Sequence, residues 1–113
     1  MTTHIMNLNP QALSLIKSGS KTIEMRLFDE KRRKIVTGDI IKFISTKDSS
    51  TFLTTQVTKL YVFKNFKELY QKFDKFKLGY MENDIPNYSD MEKYYSQTDM
   101  KSYGVVGIEI KVI

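Results

Sequence analysis

The sequence predicts an α+β domain built around a small mixed β-barrel, and three observations lead there. The hydrophobic periods run strand, helix, three strands, one or two helices, strand. The middle strands are long enough to pair antiparallel with one another. The last segment, Tyr103 to Ile113, is the clearest strand in the chain and carries Gly104 and Gly107, which permit a bend or a close approach. Long antiparallel partners closing on a glycine-bent final strand favour a barrel with helices at its flank. With 113 residues, a single domain spanning 1–113 is expected, large enough to bury a real core.

The elements follow in order. His4 to Leu8 reads as a short first strand. Asn9-Pro10 then starts a helix, because Asn can accept from free backbone N–H groups and Pro is pre-set for the first helical position. Ala12, Leu13 and Ile16 share one face of that helix, and Gly19 ends it. Ser20 and Lys21 are thereby delivered to the mouth of the second strand. The six charges from Asp29 to Lys34 form a loop or one solvated helical turn. Thr37-Gly38-Asp39 is a tight-turn signal, followed by the apolar strand Ile40 to Ile44. After a polar connection, Phe52 to Val62 pairs back on it. Asn65 to Phe73 switches to helical spacing through Phe66, Leu69, Tyr70 and Phe73, a stripe expected in the core. Beyond it Gly79 and Pro86 interrupt the pattern, and Asp90 to Tyr95 reads as a short helix in a tyrosine-rich stretch. Such tyrosines cover a core edge or touch a ligand.

Composition bounds the function. At 41% hydrophobic and 12% aromatic residues the chain is a folded globule, and with no cysteine it has neither disulfides nor thiolate zinc sites. No apolar run reaches a membrane-spanning length and no leader pattern opens the chain, so a cytoplasmic protein without a membrane partner is expected. The net charge of +5 is uneven: residues 1–79 carry 15 Lys or Arg against 7 Asp or Glu, whereas residues 80–100 carry 1 against 5. The basic body attracts polyanions such as nucleic acid or simply keeps the chain soluble.

Gly19 to Arg33 is the site-like stretch. Ile23, Met25 and Leu27 share one strand parity; Thr22, Glu24, Arg26 and Phe28 share the other, so one face is oily and the other holds a carboxylate and a guanidinium. Lys21, Glu24 and Arg26 fit three roles: a phosphate-binding pair with a carboxylate accepting from a base, a hydrolytic site in which Glu24 activates water, or an ion pair that only holds structure. Strict alternation sets Lys21 opposite Glu24 and Arg26, which argues against a rigid triad. His4 is expected at a strand edge and not as a catalytic base.

The segments Gly19-Ser20-Lys21-Thr22-Ile23-Glu24-Met25-Arg26, Asp29-Glu30-Lys31-Arg32, Gly38-Asp39-Ile40-Ile41-Lys42-Phe43 and Tyr103-Gly104-Val105-Val106-Gly107-Ile108 resemble the ASCH domain, a relative of the PUA fold, in its small single-domain bacterial form. The resemblance covers about His4 to the C-terminus. It implies a PUA-like barrel of five to six strands with two to three flanking helices, and a cleft where Lys21 and the strand after it meet the loops. The family is regarded as RNA- or nucleotide-binding. One branch is similar to enzymes that deacetylate acetylcytidine with a lysine, a threonine and a glutamate. Lys21 stands where that lysine would, but Glu24 occupies the threonine's place, and Glu82 matches the glutamate by segment order only.

The expected site is therefore Lys21 and Glu24, with Glu82, for any catalysis, and Thr22, Arg26, Lys31, Arg32, Arg33, Tyr95 and Tyr103 for ligand contact. Phe28 and Tyr94 are further aromatics on which bases could stack. No cofactor and no metal is expected. The expected function is binding of RNA or a nucleoside, the alternatives being a small hydrolase of acylated nucleosides or RNA, or a protein-interaction domain.

Overall fold

A computed structural model describes all residues, Met1–Ile113, with five strands and five helices. Strand β1 (Thr3–Leu8) leads into helix α1 (Pro10–Ser18), and both ends of α1 follow the local chemistry. Asn9 Oδ1 accepts from the Ala12 N–H at 2.8 Å, and Gly19, at φ 87°, donates its N–H to Ile16 O at 3.0 Å. Next come β2 (Ile23–Leu27), the single-turn α2 (Glu30–Arg33), β3 (Ile40–Ser45) and the long β4 (Phe52–Phe63). Helix α3 (Phe66–Lys72), the single-turn α4 (Ser89–Glu92) and α5 (Gln97–Tyr103) precede the last strand, β5 (Val105–Val112).

The sheet order is β1-β3-β4-β5-β2, parallel between β1 and β3 and antiparallel elsewhere, so the expected α+β class with a mixed sheet holds. The sheet curls into a half-barrel whose edges are β1 and β2. No strand ladder joins those edges; the Arg26 guanidinium does, donating from Nη2 to the Asn7 carbonyl at 2.9 Å. The final strand is internal, as its apolar pattern requires. At its middle, a Cβ on Gly107 would meet Ile23 Cγ2 and Phe73 Cε2 at 3.3 Å, which accounts for the glycine as a point of close approach.

The sheet has a core on each side. Inside the curl, Met6, Ile41, Phe43, Val57 and Ile108 pack with Leu13 and Ile16 of α1. On the outer side, Ile23, Met25 and Leu27 of β2 pack with Phe66 and Leu69 of α3 and Met100 of α5. Leu69 is fully buried there, and truncating such a leucine to Ala costs about 2–5 kcal/mol. Strand β4 changes allegiance between the two: an extra residue at Thr58 shifts the register between Val57 and Lys59 and re-aims the side chains.

Several expectations change in the structure. The final strand starts at Val105, not Tyr103, because Tyr103 closes α5 and Gly104 breaks the chain at φ 71°. A Cβ at Gly104 would also lie 2.9 Å from the Phe63 carbonyl oxygen. The helix expected over Asp90 to Tyr95 is Ser89–Glu92 instead, leaving Tyr94 and Tyr95 beyond its end. Helix α5 was not foreseen; Ser96 Oγ starts it by accepting from Asp99 N–H at 3.0 Å. Two of the five helices are single turns of 4 residues.

Candidate functional site

Both faces of β2 are covered: one by α3 and α5, the other by the inside of the half-barrel, where Glu24 and Arg26 border a recess. Alternation puts Ile23, Met25 and Leu27 toward α3 and α5, while Glu24 and Arg26 point toward the inside of the half-barrel. Glu24 and Lys21 are each only 5% exposed. The parity argument against a triad fails, because Lys21 precedes the strand, which begins at Ile23. Its stem runs under Gly79, where a Cβ would come within 3.0 Å of Lys21 Cδ.

The three charges form one network. Lys21 Nζ lies 3.3 Å from Glu24 Oε1 and donates to the carbonyls of Ile23 at 2.8 Å and Leu78 at 3.0 Å. An ammonium has three donors, so Lys21 is fully engaged by the protein. Glu24 Oε2 takes Arg26 Nε at 2.8 Å and Arg26 Nη2 at 2.7 Å. Burial pushes the Glu24 carboxyl up, but the Lys21 and Arg26 charges and their hydrogen bonds outweigh it and hold the group below its ordinary value. Glu24 is thus an anion locked between two cations. Arg26 alone keeps capacity, since its Nη1 meets no protein acceptor.

These groups form part of the wall of an open cavity of about 700 Å³ between α1, β2 and the segment from Leu78 to Tyr95. The opposite wall is a hydrogen-bonded relay: Tyr70 and Tyr80 hydroxyls lie 2.7 Å apart, and Tyr80 donates to Asp90 Oδ2 at 2.7 Å. Burial, with the Tyr80 contact behind it, raises the Tyr70 hydroxyl well above its usual range, so it remains protonated. Tyr95 stacks on Phe66 at 6.0 Å and contributes to the lining, and Tyr94 is 71% exposed at the rim. The lining holds three basic side chains, Lys21, Arg26 and Lys93, against three acidic ones, Glu24, Asp84 and Asp90.

Of the residues singled out in the sequence, Lys21, Glu24, Arg26, Tyr94 and Tyr95 meet in this cavity and the others lie elsewhere. Thr22 sits behind the network, its N–H bonded to Lys77 O at 3.0 Å. Arg32 pairs with Asp29 at 2.8 Å, and Arg33 donates to the Tyr103 carbonyl at 3.0 Å while its guanidinium stacks 4.3 Å over Phe28. Lys31 is exposed on α2; Tyr103 packs at the outer core. Glu82 is exposed outside the cavity, with its backbone carbonyl accepting from Lys75 Nζ at 2.6 Å. Sequence reasoning missed Tyr70 and Asp90 as cavity residues, and the Leu78 carbonyl that holds Lys21. The signal available was Gly79, whose φ of 100° fixes the turn over the lysine.

The sequence profile of the ASCH domain matches residues 6–113. The chain belongs to the ASCH domain family. A crystal structure of hypothetical protein PH0355 is 35% identical with a TM-score of 0.82, each chain covered in full. The solution structure of protein PF0455 from Pyrococcus furiosus is 32% identical over 99% of this chain and 98% of that one, with a TM-score of 0.75. The ASCH domain of Lactobacillus crispatus, only 9% identical over 98% of this chain and 79% of its own, shares the fold at a TM-score of 0.70. No functionally curated protein gives a significant match. In this ASCH domain no cluster of three His, Cys, Asp or Glu side chains is brought together to hold a metal, and no helix is long and apolar enough to cross a membrane.

Proposed function

We propose that this ASCH domain binds RNA or a modified nucleoside, with the base seated in the cavity beside β2. The observation that carries the reading is the unused Nη1 of Arg26, held in place by a buried carboxylate at the wall of a 700 Å³ recess. A volume of this size suits a small ligand, for which about 300–1,000 Å³ is usual. Glu24 fixes the guanidinium so that little rotamer entropy is lost when a ligand carbonyl accepts from Nη1. Tyr80, Tyr94 and Tyr95 supply flat apolar surface with polar tips, the combination that takes a base by its face and edge. Because acidic and basic groups are balanced around the cavity, a polar uncharged base fits it better than a cluster of phosphates.

Hydrolysis of an acylated nucleoside or of RNA has no observation in its favour. A general base needs a pKa near the working pH, whereas the Lys21 and Arg26 charges hold the Glu24 carboxyl below its ordinary value. Titrating the labelled protein with cytidine, acetylcytidine and uridine and following amide resonances tests the proposal. Shifts should centre on Arg26, Tyr80 and Tyr95, and Arg26→Ala should weaken binding by roughly tenfold or more, as expected for a lost hydrogen bond from a charged donor. Absence of saturable shifts for every nucleoside at millimolar concentration would falsify it, and release of cytidine from acetylcytidine would restore the hydrolytic alternative.

A further inference from the structure

Half of the outer sheet face has no helix on it, and its residue grid can be read from the register. Across β1, β3 and β4, Ile5 stands beside Lys42 and Lys42 beside Thr54; in the next row, Asn7 stands beside Ile44 and Ile44 beside Phe52. On the other side Ile40 faces Gln56, which faces Lys111 of β5. The opposite parity of the same strands, Met6, Ile41, Phe43 and Val57, fills the inner core, so this face is the outer one. Helices α3 and α5 cover the outer side only beyond the Thr58 bulge. Ile5 is 55% exposed and Phe52 53%.

The charge on this face is predominantly positive. Lys42, Lys59 and Lys111 lie on it or at its border, and Lys42 Nζ sits 4.2 Å over the Phe52 ring while Lys59 Nζ sits 4.8 Å over Tyr61. The one carboxylate among them, Glu109, is held within the fold by the Thr58 hydroxyl at 2.6 Å and, more loosely, by the Tyr61 hydroxyl at 3.5 Å. A half-exposed ring with an ammonium over it places aromatic surface and a phosphate donor at one point, and a base stacks on that ring as the Lys42 ammonium moves to a phosphate. The row that ends at Phe52 begins at Asn7, which also lines the cavity and gives its carbonyl to Arg26. A strand leaving the cavity over this edge would run directly onto the sheet.

We infer that this uncovered sheet face is a second binding surface, for single-stranded nucleic acid, with Phe52 stacking a base and Lys42, Lys59 and Lys111 meeting backbone phosphates. This goes beyond a nucleoside in the cavity and does not need it, since the face uses none of the cavity side chains that would hold a base. The test is fluorescence anisotropy of a labelled twelve-nucleotide oligouridylate, with the nucleoside titration run in parallel. Phe52→Ala should weaken oligonucleotide binding about tenfold. Lys42→Ala with Lys111→Ala should lower the salt dependence of log affinity by about 0.7 for each lysine removed. Neither change should alter nucleoside binding, whereas Arg26→Ala should weaken nucleoside binding and leave the salt dependence of oligonucleotide binding unchanged. Circular dichroism and melting of each variant check that it is folded. Oligonucleotide affinity equal to wild type in both variants overturns the inference. So does sedimentation showing that Phe52→Ala converts a dimer to a monomer, which would make the face a contact between copies of the chain.

Discussion

Glu24 and Asp39 are both buried carboxylates, 5% and 3% exposed, yet they are satisfied in opposite ways. Asp39 is enclosed by groups that end with it: the N–H of Thr2 at 3.1 Å, the N–H of Val36 at 3.1 Å and His4 Nε2 at 2.8 Å. It ties the first strand to the turn before β3 and has no part in the cavity wall. Glu24 is enclosed by two cations, one of which, Arg26, lines the cavity and keeps an Nη1 that no protein group accepts. Burial and satisfaction therefore do not distinguish a fastening from a site. The distinction is whether the partners of the buried group still have valence to offer outside.

The largest effect is expected from removing the Glu24 carboxylate. Glu24→Ala leaves two buried cations facing each other and should cost about 3–5 kcal/mol in denaturant unfolding. Glu24→Gln keeps the shape and should cost less, but nucleoside affinity should fall because Arg26 is no longer anchored. A Gln variant with unchanged affinity would make Glu24 as purely structural as Asp39.

Arg26→Lys comes next. A lysine retains the charge but lacks the planar fork that reaches Glu24, the Asn7 carbonyl and the cavity together. Nucleoside binding should weaken roughly tenfold with only a small loss of melting temperature, seen by calorimetry alongside titration.

Asp39 predicts an effect of pH on stability and not on binding. Its hydrogen bond from His4, then those from the Thr2 and Val36 N–H groups, hold its carboxyl down at about 2 against an ordinary 3.8. A depressed folded-state pKa means stabilisation that is complete above about pH 4 and is lost as pH falls toward 2. Asp39→Asn should be less stable at neutral pH and flatter across that acid window, with nucleoside affinity unchanged. The smallest effect is expected from Tyr80→Phe, which breaks the relay between Tyr70 and Asp90 and should cost about 0.5–1.5 kcal/mol, measured by thermal unfolding.

Local chemistry made most of the fold legible. Asn9, Pro10 and Gly19 marked α1, the Gly38 turn separated α2 from β3, and the Phe66 and Leu69 spacing gave α3. What escaped depended on distant chain segments. Alternation along β2 told which side chains share a face, but not that Glu24 would be buried and paired with two cations there. Lys21 was identified, but its partner at Leu78 lies 57 residues away and no pattern links them. The α2 cations looked available as a run of charge; the fold spends Arg32 on Asp29 and Arg33 on Tyr103 and Phe28. Helix α5 was hidden because Met100 is its one buried residue, too little for a helical stripe.

Where Arg26 reaches Asn7, one side chain stands in for the row of backbone bonds that elsewhere joins neighbouring strands. Such a closure is a latch, not a weld. Amide protons along the outer edge of β1 should exchange with solvent sooner than those of β5, which has neighbours on both sides. An occupant that engages the same guanidinium would slow that exchange, so the fit of a small molecule would be heard along the whole of β1, well beyond the Asn7 end that borders the cavity.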